Sequence, residues 1–142
     1  MATSLIAKLV AAAQSYAPLQ VYLGVGSAMR ISSYPLPQGS TFPAIILQTI
    51  SNVPAYAVNA RLATGWYRVQ ATIFGLAPGG ENARAVLSTW AAFLDQFSGD
   101  GIAGREIAPN RIVNVREFGI AQTAPLTFQI VCDAMIRNDE TL

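Results

Sequence analysis

The sequence predicts an α+β fold, an antiparallel-rich mixed β-sheet with two helices packed on one face, formed by residues 1–142 as a single domain. Three observations carry that expectation. Apolar residues recur at three- and four-residue spacing in two segments, one near the N-terminus and one after Gly80. Other segments alternate apolar and polar residues, or run apolar over strand length, between clusters of Gly and Pro. Their order is helix, three strands, helix, three strands, which suits helices gathered on one face of a largely antiparallel sheet.

Thr3 or Ser4 is suited to cap the first helix, whose stripe is Leu5, Ile6, Leu9, Val10, Ala13 and Tyr16, and Pro18 is expected to end it. Leu19–Leu23 reads as a short strand leading into Gly24 and Gly26. The segment from there to Ser40, with Pro35, Pro37 and Gly39, reads as a long exposed loop. Thr41–Ser51 reads as a strand apolar on both faces and therefore central, with Pro43 near its start, where a missing N–H is tolerated. Asn52–Ala63 reads as a second long connection. In the strand Thr64–Leu76, Tyr67, Val69, Ala71 and Ile73 form the core face, and Trp66, Arg68, Gln70 and Thr72 the other.

After Gly80 a second helix is expected, with Glu81 at its positive end and Val86, Leu87, Trp90, Phe93, Leu94 and Phe97 facing inward, ending at Gly99. Ile102–Ala108 and Arg111–Ala121 read as a hairpin turning at Pro109-Asn110, although neither strand alternates cleanly. The last strand, Pro125–Arg137, is the clearest. Leu126, Phe128, Ile130, Cys132, Ala134 and Ile136 fall on the core face; Thr127, Gln129, Val131, Asp133, Met135 and Arg137 fall on the outer one.

Charge is scarce: 9 Lys+Arg and 8 Asp+Glu make 12% of the chain, where an average soluble domain carries about 25%. Hydrophobic residues make up 52%, yet no apolar run reaches the ~18 residues of a membrane span. Protein partners are therefore expected to cover part of the surface, and the outer sheet face, polar but nearly uncharged, is the natural place for them. Eight of the nine basic residues are Arg and one is Lys8, a bias that fits interfaces, where the weakly hydrated guanidinium is favoured; a genome bias toward Arg would produce it equally. A net charge of +1 argues against coating nucleic acid, which needs clustered cations. No basic n-region precedes Leu5–Ala13, and Lys8 interrupts that run, so synthesis in the cytoplasm without a secretory signal is expected.

The sequence holds little chemistry. With no His and a single Cys, His-based triads, thiolate–imidazole pairs and His or Cys zinc sites all drop out. Ser4 and Lys8 share a helix face, but a lone Lys on an amphipathic helix is ordinarily solvated rather than activated. Asp95, Asp100, Glu106, Glu117 and Asp133 lie on different elements and read as solvated surface charges. Gly75 to Gly80 lacks the Lys and Ser/Thr of a phosphate-binding loop, so its glycines, like Gly24 and Gly26, read as turn residues. Cys132 on an apolar strand face would have a raised rather than a lowered pKa. No enzyme, cofactor or metal site is expected.

Taken together, these segments resemble the tail completion, or tail terminator, proteins of long-tailed bacteriophages over nearly the whole chain. The likeness rests on the N-terminal apolar helix, the strand Phe42-Pro43-Ala44-Ile45-Ile46-Leu47-Gln48, the strand Tyr67 to Phe74, the long helix after Gly80, the Asp100-Gly101 turn and the closing strand Phe128 to Arg137. The resemblance implies a non-enzymatic α+β subunit that forms a ring, commonly a hexamer, which caps the tail tube, stops its growth and docks onto the head connector. The implied partners are copies of itself, the tail tube protein and the head–tail connector or adaptor protein, with phage DNA passing through the lumen without specific binding. It also implies a place in the virion, at the tail or neck, after assembly in the host cytoplasm.

Tyr34, Tyr56, Arg61, Trp66 and Arg68 are the candidate interface residues, since aromatics and Arg are enriched as binding anchors. Burial of Tyr56 and Trp66 under their own loops is the competing reading. The loops Gly24–Ser40 and Asn52–Ala63 are candidates to face a lumen. A head-completion or connector adaptor on the portal side is the alternative within the same setting. A small-molecule-binding α+β domain, with a pocket between helices and sheet, is the alternative from another class.

Overall fold

The computed structural model describes residues 4–33, 43–56, 61–76, 81–97, 110–120 and 127–139. Helix α1 spans Leu5–Gln14, and Ser4 caps it by accepting the Ala7 N–H at 3.2 Å, which answers one of the first turn's unpaired donors. Leu5, Leu9 and Ala13, spaced by four, are its buried residues.

Where a strand was expected after Pro18, a second helix, α2, spans Ala17–Leu23. Pro18 begins this helix rather than separating two elements, because a proline in the first turn gives up an N–H that had no helical partner. Leu19 and Leu23 lie one turn apart and are both buried, whereas Val21 is exposed. Alternation along a strand would have put all three on one face, so core burial of the two leucines, worth about 1.5–3 kcal/mol each, selects the helix over the β-prone Val and Tyr.

Gly24 and Gly26 have positive φ, 101° and 60°, and make the turn into a short 3₁₀ segment, Gly26–Ala28. Strand β1, Ile31–Ser33, follows inside what the sequence presents as loop; residues 34–42, with Tyr34, lie outside the described residues. The remaining elements are β2 (Ala44–Tyr56), β3 (Arg61–Leu76), α3 (Glu81–Gln96), β4 (Arg111–Ile120) and β5 (Thr127–Asp139). The sheet order is β1-β2-β3-β5-β4, with β1 parallel to β2 and every other pair antiparallel. The fold class is therefore α+β with a mixed, mainly antiparallel sheet, as expected, but the described residues include three α-helices, α1, α2 and α3 (Glu81–Gln96), where two are expected.

Residues 52–56 and 61–63 are not a long connection. They continue β2 and β3, with Tyr56 opposite Arg61 in register, which leaves residues 57–60 to join the strands. Backbone pairing outweighs the weak local strand signal of Asn52 and Pro54, and a proline is tolerated here because no described strand lies on the far side of β2 at this level. The expected strand Ile102–Ala108, its turn at Pro109 and the Asp100-Gly101 turn lie outside the described residues.

The helices and one sheet face form a single core. Val86, Trp90, Phe93 and Leu94 of α3 join Leu9, Leu19 and Leu23 over Ile45, Leu47, Val69, Ala71, Ile73, Ile130, Cys132 and Ile136. Tyr16 meets Phe93 edge-on, ring centroids 5.4 Å apart, tying the α1–α2 corner to α3. Arg30 donates to the carbonyls of Tyr22 at 2.7 Å and Pro43 at 2.8 Å, holding the end of α2 against the start of β2. At the C-terminal end of α3, the same end as Phe93, the buried Asn110 side chain donates to the carbonyls of Leu94 (3.0 Å) and Phe97 (2.7 Å), the first of which also accepts the Phe97 N–H at 3.3 Å. Gly75 is not a turn residue. It is buried in β3, where an added Cβ would come within 2.8 Å of the Ala83 Cβ, so its missing side chain lets α3 pack onto the sheet.

Candidate functional site on the outer sheet face and its edges

Strand register defines the face turned away from the helices. Successive rows across it are Ala44, Phe74 and Gln129; Ile46, Thr72, Val131 and Arg116; then Gln48, Gln70, Asp133 and Asn114. Trp66 and Arg68, two of the candidate residues, stand two apart on β3 on this face, both half-buried. Tyr56 and Arg61 occupy paired strand positions at the far end of β2 and β3, and their side chains lie outside the description, as does Tyr34 altogether.

The centre of this face is less open than its composition suggests. Ala44, Ile46, Val131 and Asp133 are each 2–4% exposed. Asp133 is thus no solvated surface charge: its Oδ2 accepts from Arg68 Nη2 at 2.7 Å, with the Asp133 side chain 5% exposed and that of Arg68 40%. Asp133 Oδ1 and Arg68 Nε are buried with no partner among the described residues. The pair is held by one hydrogen bond where a guanidinium and a carboxylate can make two. Asp95 and Glu117, by contrast, are exposed as expected. Glu117 lies on β4 on the helix side, bonded to Arg84 of α3 at 3.0 Å, and that hydrogen bond draws its pKa down. Arg84 also sits over the Phe128 ring, 5.0 Å from its centroid.

Exposed apolar side chains collect elsewhere. Among the described residues the large ones are Val21 and Val25, at and beyond α2, and Ile50, Val113 and Val115 on β2 and β4. Ile50 and Val113 are also the extra residues of two β-bulges. Thr49 pairs with Val69 and Ser51 with Arg68, skipping Ile50; Ile112 pairs with Ala134 and Asn114 with Asp133, skipping Val113. A bulged residue is freed from the ladder and re-aimed. No pattern of alternation in the sequence marks it.

The described residues contain no group of three or more His, Cys, Asp or Glu that could hold a metal. No described helix is long and apolar enough to cross a membrane. Burial, and then the neighbouring Asp133 carboxylate, push the Cys132 thiol up to about 12, so it stays protonated and unreactive at neutral pH. The Ser4 hydroxyl is occupied in capping α1.

No protein-family model matches the sequence, and no curated protein matches it. In fold, the chain is similar to a chain of the solved structure described as "Virion of native gene transfer agent (GTA) particle", with 14% identity and a TM-score of 0.58 over 95% of this chain and 96% of that one. Identity at that level speaks to the fold, and the likeness runs the length of both chains.

Proposed function

We propose that this chain is a non-enzymatic virion structural protein that assembles into a homo-oligomeric ring, capping and terminating a phage tail tube and joining it to the head connector. The observation that carries this reading is the full-length likeness of fold to a chain of a gene transfer agent virion. The tail and ring assignments come from the resemblance of the sequence to tail terminators, in which a hexamer is the common form. Scarce charge, exposed valines and isoleucine, and Arg in place of Lys support burial against neighbouring subunits. Partners in this reading are the chain itself, the tail tube protein and the connector protein, with DNA passing through the lumen.

Negative-stain imaging and light scattering of the purified chain, alone and with polymerising tail tubes, test it. Rings of uniform diameter that bind one tube end and halt its growth are expected. A protein that stays at its 15.1 kDa chain mass at high concentration and in the presence of tubes refutes it.

A further inference from the structure

We infer that neighbouring copies join through the lateral edges of the sheet, with Ile50 on β2 of one copy seated against Val113 on β4 of the next. This rests on the ring reading above and names the surface that closes the ring. β2 and β4 flank the central β3–β5 pair on opposite sides, so a contact between these edges is head to tail, the kind that closes into a ring when the rotation allows. Rotation about an axis running along the strands keeps every residue at its own height in the next copy. Partners across such a joint must therefore lie at one level, and these two do. The row Thr49, Val69, Ala134 and Ile112 crosses the sheet with Ile50 next to its first member and Val113 next to its last.

The chemistry agrees with the geometry. Ile50 is 46% exposed and Val113 43%, an apolar side chain on each edge. Neither 48–51 nor 111–117 contains Lys or Pro, the residues that commonly blunt an edge, and no described strand pairs with the outer side of either segment. The β2 segment carries no charge, so it does not oppose the Arg and Glu side chains around Val113. Because both strands bulge here, neither presents an unbroken ladder; the joint is packing of side chains rather than one continuous sheet.

Native mass spectrometry of the full chain tests this. Ile50→Asp and Val113→Asp, both at exposed positions, are each expected to reduce the ring to a folded 15.1 kDa monomer. The circular dichroism spectrum of the wild type and a cooperative thermal transition are kept, at a midpoint lowered by the loss of assembly. Mixed in equal amounts, the two variants are expected to form a one-to-one pair and nothing larger, since each keeps one intact edge. Ile50→Asp combined with Val113→Arg in one chain is expected to restore the ring. Rings of unchanged mass from either single variant overturn the inference and leave the ring reading standing, as do monomeric single variants that fail to pair when mixed. A monomeric wild-type protein overturns both.

Discussion

Arg68→Met strands the Asp133 carboxylate, which is 5% exposed and has no other partner among the described residues. Two opposed unit charges about 4 Å apart interact by roughly 4 kcal/mol at an effective dielectric constant of about 20. An exposed pair keeps only about 0–1 kcal/mol of such an attraction, whereas removing one partner of a buried pair costs about 3–5 kcal/mol. The Arg68 side chain is 40% exposed, but in this variant it is the buried carboxylate that is left alone, so a cost of about 3 kcal/mol is expected. For a domain of this size that lowers the thermal midpoint by on the order of 10 °C. Asp133→Asn keeps the shape and leaves Arg68 reaching water, and is expected to cost about half as much. Combining Arg68→Met with Asp133→Leu removes both charges and is expected to recover most of the loss, giving a coupling of about 2 kcal/mol. Urea unfolding followed by tryptophan fluorescence, with Trp66 and Trp90 as reporters, measures all of these. A loss below about 1 kcal/mol for Arg68→Met, equal to that of Asp133→Asn, would refute the claim that burial of the carboxylate governs the pair.

Three further outcomes follow from the core. Asn110→Ala removes the side-chain donor to the Leu94 and Phe97 carbonyls, of which Leu94 keeps the Phe97 N–H at 3.3 Å, and is expected to lower stability by about 1–3 kcal/mol in the same urea assay. Gly75→Ala drives a Cβ to 2.8 Å from the Ala83 Cβ and 3.1 Å from its backbone N, and is expected to cost about 1–3 kcal/mol because a helix backbone has to move. Cys132 is expected to resist a disulfide reagent at pH 8 in the folded protein and to react fully once unfolded. Its thiol is held up to about 12 when folded against 9.0 unfolded, so the native state holds the proton more tightly. The associated stability is complete below pH 9 and declines toward pH 12, a decline expected to be shallower in Cys132→Ala.

Elements that carry their own pattern were legible. β5 alternates along its length, and α3 repeats its apolar stripe over four turns, so the burial of Ile130, Cys132, Trp90 and Phe93 could be read directly. Leu19, Val21 and Leu23 fit a strand and a helix equally well by spacing, and only the neighbouring α1 and α3 decide between them. The irregular alternation of Arg111–Glu117 has a physical cause in the Val113 bulge, which shifts the pattern by one residue midway. The Arg68–Asp133 bridge joins residues 65 apart. Local pattern puts both on the outer face, but their meeting depends on β5 lying beside β3, which no local pattern specifies.

The two bulges also bear on how this chain can vary. Because Ile50 pairs with nothing across the β2–β3 ladder, and Val113 with nothing across β4–β5, deleting either leaves every remaining pair with its present partner and both faces unaltered. Deleting a ladder residue such as Gln48 instead turns one side of the strand inside out. The edges thus hold single residues that can be lost, gained or exchanged without rewriting the core, so what the edges present and how stably the core packs are free to change separately.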